Sequence, residues 1–205
     1  HLAAFSFHET KNVISGEGGM LVINDEVFIQ RAEIIREKGT NRSAFFRGEV
    51  DKYGWVDIGS SFLPSDIIAA FLYAQLENLE KIQERRKLIW NNYNQALFPL
   101  AAKGFYKTPV IPDYATNNAH MFYIVCNNLA ERTALIKHLR EKEIYPVFHY
   151  QSLHKSAYFL KNNKSIELPQ SDYYTDCLLR LPFYFELSND DQRLVINSIV
   201  SFYTE

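Results

Sequence analysis

The chain has 205 residues, 47% hydrophobic and 22% charged, with a formal net charge of −2. That length suits one domain, or one large and one small lobe. With no basic tract and only short apolar runs broken by charge, the sequence argues against a nucleic-acid partner, an anionic membrane surface or a membrane-spanning helix. Cys126 and Cys177 lack metal-ligand or redox spacing and read as reduced core residues of a cytoplasmic protein.

Residues 2–7 read as a buried strand and residues 8–15 as a polar connection. Gly16, Glu17, Gly18 and Gly19 then lead into an apolar strand over 20–23. The chain opens inside that first apolar run and without Met, so we read it as a piece lacking an N-terminal portion. Asp25 caps a helix with Phe28, Ala32 and Ile35 on one side, and Gly39 stops it. Residues 40–64 form a long irregular stretch, a length more often functional than idle.

Ser65 is the expected N-cap of a helical pattern running to about residue 98, as two helices or one kinked one. Ile68, Leu72, Leu79 and Ile82 form its stripe, and Glu84, Arg85, Arg86 and Lys87 read as a solvated charged segment. The last third reads as a small α/β lobe. It has strands over 119–125 and 144–150, a capping box at Asn128 and Glu131, a Ser/Lys/Asn-rich surface loop to about 164, and a final helix capped by Ser188. The spacings predict a division into residues 1–90 and 91–205.

Taken alone, Lys11 is a surface lysine, as lysines usually are. Its setting after a strand, in a polar turn and before a glycine cluster also suits Schiff-base chemistry, in which burial yields a neutral, nucleophilic amine. Ser6, taken alone, is a strand serine satisfied by backbone. His8 and Asn12 flank the lysine and either touch substrate or brace the turn. Phe45, Arg47, Tyr53 and Trp55 could clamp a nucleotide or pack on a partner subunit. His149 and His154, taken alone, read as structural donors, as histidines at strand ends usually are. No histidine shares a zinc-ligand spacing with carboxylates, and neither a nucleophile elbow nor a Walker loop is present.

The run Phe5-Ser6-Phe7-His8-Glu9-Thr10-Lys11-Asn12, followed by Gly16-Glu17-Gly18-Gly19, resembles the cofactor-lysine signature of the DegT/DnrJ/EryC1/StrS sugar aminotransferases. The resemblance continues through Asp57-Ile58-Gly59-Ser60-Ser61, Val147-Phe148-His149-Tyr150 and Leu179-Arg180-Leu181-Pro182, and so covers essentially the whole chain. It implies an α/β chain of the PLP-dependent transferase type I (aspartate aminotransferase-like) fold. Part of a large domain with a mostly parallel sheet would be followed by a small C-terminal lobe. Pyridoxal 5′-phosphate is the implied cofactor, joined to Lys11, with Ser6, Asn12 and Ser61 also binding it. Ser61 would reach across a homodimer interface, at a position where many relatives carry Asn.

The resemblance implies His8, Arg47, Tyr53, His149, Tyr150 and His154 as substrate contacts. The implied substrates are a dTDP-linked 4-keto-6-deoxyhexose and glutamate, in surface-polysaccharide synthesis. It also puts the acid that pairs with the pyridine nitrogen in an N-terminal half, so the 205 residues alone are expected to be inactive.

Overall fold

Two apolar strands joined by a glycine-rich link that holds no helix must return antiparallel. In the computed structural model, which describes residues 1–204, β1 (Leu2–Ser6) and β2 (Gly19–Ile23) do so, from Leu2 opposite Ile23 to Ser6 opposite Gly19. They belong to the first of two compact units, His1–Glu80 and Lys81–Glu205. The strand expected to be buried is not: Phe5 is 53% and Leu21 52% exposed, because no third strand extends the two-stranded ladder. Both sheets among the described residues are antiparallel.

The Asp25 carboxylate accepts the Val27 N–H, and a 3-10 turn at Glu26–Phe28 runs into α1 (Ile29–Arg36). The stretch expected to be irregular contains a short helix, α2 (Arg42–Phe46). Ser65 caps α3 (Asp66–Glu77) by accepting the Ile68 N–H, and Asn78 separates α3 from α4 (Leu79–Ala102). Ile68 and Leu72 are half-buried, whereas Ile67 on the same helix is 83% exposed.

The second unit is organised by α4, which buries Ile82, Arg86, Ile89, Tyr93, Leu97 and Leu100, a stripe with three- and four-residue steps. Arg86 therefore falls on the inner face, which corrects the solvated reading of the charge run. Arg86 is 6% exposed; it donates from Nε to the Ala119 carbonyl at 3.0 Å and also bonds the His120 carbonyl. Its guanidinium lies 4.8 Å from the Phe183 ring centroid, and burial lowers its pKa. Arg85 likewise bonds the carbonyls of Phe185 and Leu187.

Phe122 stacks on Tyr93 with centroids 5.3 Å apart, within a core completed by Leu135 and Leu139 of α5 (Leu129–Arg140) and by Val195 and Ile199 of α8 (Asn189–Thr204). The Asn128 side chain accepts the Glu131 N–H at 2.9 Å, while Glu131 reaches back to Asn127 N, one residue earlier than a standard box. Ser188 accepts the Asp191 N–H at 3.0 Å.

Both expected strands of this lobe are shorter than the apolar runs. The first is β3 (Tyr123–Val125), because Ala119 adopts a left-handed φ of 49°. The second is β4 (Val147–Phe148), because the Ile144 N–H instead caps α5 at the Leu139 carbonyl. The expected surface loop contains a 3-10 turn at Leu153–Lys155 and α6 (Ala157–Asn162). Beyond it come α7 (Pro169–Cys177), with proline at its permitted first turn, and β5 (Leu178–Arg180). β5 is the central strand of the sheet, with Arg180 opposite both Tyr123 and Val147. Cys126 and Cys177 are buried free thiols. Among the described residues, no helix is long and apolar enough to cross a membrane.

Candidate functional site

The link between β1 and β2 is a closed turn. Phe7 N–H donates to the Gly18 carbonyl at 2.9 Å, Ser15 N–H to the Phe7 carbonyl at 2.7 Å and Glu9 N–H to the Gly16 carbonyl at 3.1 Å. Two of its glycines are required by space. A Cβ on Gly19 would lie 2.9 Å from the Phe5 carbonyl oxygen, and one on Gly18 2.8 Å from Ser15 Oγ, with φ already at +149°.

Lys11 sits on this turn, half-buried, its N–H donating to the His8 carbonyl at 2.9 Å. Among the described residues no carboxylate pairs with its amine. Asn12 follows it, also half-buried. His8 Nδ1 lies 3.1 Å from Thr10 Oγ1 and accepts the Thr10 N–H, and its Nε2 is 3.7 Å from Glu17. Ser6 ends β1, and its hydroxyl oxygen accepts a long 3.4 Å bond from His8 N–H. That bond leaves the Ser6 O–H available to donate. An unpaired amine and a small hydroxyl donor at one end of a hairpin fit a phosphorylated aldehyde: the amine takes the carbonyl carbon and the hydroxyl the anion.

A second segment of the same unit is fixed by two glycines. Gly39, at φ +77°, ends α1, and its N–H donates to the Ile34 carbonyl. The chain returns across it: Val56 and Asp57 N–H donate to the Gly39 carbonyl, Ser60 N–H to Ile35 and Phe62 N–H to Arg36. The Ser60 and Phe62 amides thus satisfy carbonyls of the α1 terminus, and Ser61 between them, exposed, faces Glu37 across an isolated antiparallel bridge.

Arg47 follows α2 and is already paired. It forks onto Glu33 with bonds of 2.9 and 3.0 Å and bonds Glu49 at 2.6 and 3.2 Å, which raises its pKa further. A phosphate reaching Arg47 must displace one of these carboxylates. Tyr53 is exposed, edge-on to Phe45 at 5.6 Å.

The remaining candidates belong to the second unit. His149 and Tyr150 follow β4 with ring centroids 5.6 Å apart. His149 Nδ1 is buried without a hydrogen-bond partner; burial first, and then the positive charge of Arg180, hold its pKa below the ordinary imidazole range. His154 is buried, its Nε2 3.2 Å from Asp172 Oδ1 but not in hydrogen-bonding geometry, while Lys155 pairs with the other oxygen of Asp172 at 2.9 Å. Lys155 is the leading cause of the lowered Asp172 pKa. Sequence reasoning assigns Arg180 no role, although one arginine inside the run Leu178-Leu179-Arg180-Leu181 is a readable signal. Among the described residues no three His, Cys, Asp or Glu side chains group as metal ligands.

With this geometry in hand, the comparisons can be read. An uncharacterized protein of Methanocaldococcus jannaschii is 27% identical over 98% of this chain and 54% of its own length. A DegT DnrJ EryC1 StrS aminotransferase from Brucella abortus superposes with a TM-score of 0.82 at 27% identity, over all of this chain and 52% of its own. Spr1654 from Streptococcus pneumoniae, in its PMP form, gives 0.80 at 21% identity over 98% of this chain and 52% of its own. The chain thus spans about half the length of these relatives, and the fold is that of PLP-dependent aminotransferases. The family model for these aminotransferases matches residues 1–200, so the chain belongs to the DegT/DnrJ/EryC1/StrS aminotransferase family.

Proposed function

We propose that this chain is the C-terminal half of a sugar-nucleotide aminotransferase that uses pyridoxal 5′-phosphate, with Lys11 as its cofactor lysine. The observation that carries the reading is the Lys11 turn: a half-buried amine without a carboxylate partner, on a glycine-closed hairpin in a chain of this family. Spr1654, a structural relative, is known in both PLP and PMP forms, which supports the same cofactor here. When bound, the cofactor supplies the electron sink. Lys11 Nζ would hold it and, once freed, would serve as the base that takes up and returns the proton moved during amino transfer. Ser6 donates its hydroxyl to the phosphate, with Asn12 beside the lysine and Ser61 contributing from the partner subunit of a homodimer.

His8, Arg47, Tyr53, His149, Tyr150 and His154 contact the sugar nucleotide, Arg47 by exchanging a carboxylate for a phosphate. In this reading residues 1–90 complete a large cofactor-binding domain and residues 91–205 form the small one. The substrate is dTDP-4-keto-6-deoxy-D-glucose, aminated at C4 with glutamate as donor, in the cytoplasm. Comparing turnover of the 4-keto and 3-keto sugar isomers separates this from a sister enzyme acting at C3. The half-exposed ladder of β1 and β2 favours the view that the 205 residues alone do not turn over.

The test of the central reading is borohydride reduction after incubation with pyridoxal phosphate, followed by peptide mass analysis. One pyridoxyl group on the Lys11 peptide is the expected result. Scattered labelling of surface lysines, or none, means that these 205 residues hold no formed site, and the same result on the full-length parent removes the reading.

A further inference from the structure

β5 carries one charged side chain, Arg180, in the middle of the three-stranded sheet. Its Nε is buried without a hydrogen-bond partner, and an Nη reaches only the Phe148 carbonyl, at 3.5 Å. The guanidinium lies 5.7 Å from the Tyr150 ring centroid. Among the described residues no carboxylate pairs with it. Beside it, His149 presents a second buried, unpartnered nitrogen.

A partly buried cation without a counter-charge is costly, and one aromatic face offsets only part of that cost. The planar fork of an arginine recognises oxyanions in a bidentate manner, and an imidazole and a phenol can each add a hydrogen bond. We infer that Arg180, with His149 and Tyr150, is a binding site for a substrate oxyanion, either a carboxylate of the amino donor or the diphosphate of the sugar nucleotide. Naming those ligands rests on the aminotransferase reading; the anion site itself does not.

The test is calorimetric titration of the protein with glutarate, and separately with thymidine 5′-diphosphate, compared with Arg180→Met and Arg180→Lys. Arg180→Met should weaken one probe about tenfold or more, with a smaller loss for Arg180→Lys, which keeps charge but not the fork. Loss of glutarate identifies a carboxylate site, and loss of the nucleotide a diphosphate site. If Arg180→Met does not fold, as judged by its thermal transition, Arg180→Lys decides alone. Affinities within about twofold of the unaltered protein for both probes overturn the inference, as does failure of both probes to bind the unaltered protein. Borohydride labelling of Lys11 in the same samples separates the two readings. Arg180-dependent binding without a Lys11 adduct removes the Lys11 cofactor reading and leaves the anion site.

Discussion

Gly39 and Gly59 cross with no room for a side chain on either. A Cβ on Gly59 would fall 2.1 Å from Gly39 N, and one on Gly39 1.7 Å from the Asp57 carbonyl oxygen. Both obstacles are backbone, so neither can swing aside. Gly59→Ala should therefore cost about 3 kcal/mol and release the segment that presents Ser61. A lowered denaturant midpoint, with new protease cleavage between residues 54 and 62, is the expected result. An unchanged midpoint would show that the crossing is looser than described.

Lys11 has no ion pair to lose, so its replacement should be nearly neutral for folding. Lys11→Ala is expected to change stability by less than about 0.5 kcal/mol while abolishing the borohydride adduct. Activity of the complete enzyme should fall by at least about 10²-fold, the scale of a lost proton-transfer group. Retention of a single-site adduct in Lys11→Ala would transfer the cofactor role to another lysine.

Arg86 gives a contrast within one charge run. Arg86→Ala removes bonds to two carbonyls and leaves them inside the second unit, at a cost of about 2–3 kcal/mol. Lys87→Ala, at the exposed next position, should stay within about 0.5 kcal/mol. Thermal melting of the two variants checks the difference, and equal shifts would mean that Arg86 is not buried in solution.

Burial pushes the Cys126 thiol up to about 12, and Cys177 moves in the same direction for the same reason. The folded state therefore holds these protons where the unfolded state, with thiols near pKa 8.5, releases them. Stability from this source is complete below about pH 8.5 and falls as pH rises toward 12. Native protein should react slowly with a thiol-specific disulfide reagent at pH 8, and denatured protein with two equivalents. Fast native labelling would contradict the burial.

Caps and turns were legible in the sequence because their chemistry is local. Asp25, Ser65, Asn128 and Ser188 each bond an amide within three residues, and the Gly16–Gly19 turn brackets Lys11 directly. Features set by distant partners were not. The inward turn of Arg86 depends on carbonyls more than thirty residues on, and the central position of β5 on pairing with both β3 and β4. The commitment of Arg47 to Glu33 needs α2, a five-residue helix inside a stretch too short of pattern to reveal it. Arg180 escaped because an arginine in an apolar strand declares its isolation only once its neighbours are known.

The cap on α1 is non-local, and this carries a kinetic consequence. The amide protons of Ser60 and Phe62 are held by the Ile35 and Arg36 carbonyls, and that of Gly39 by Ile34. The Ser60 and Phe62 protons cannot exchange with deuterium one without the other, because one opening event must separate the loop from the helix end, whereas Gly39 bonds within its own helix terminus. The exchange rates of Ser60 and Phe62 should converge on a common value well below that of an unprotected amide, making the loop a slow-exchanging part of the helix in all but sequence.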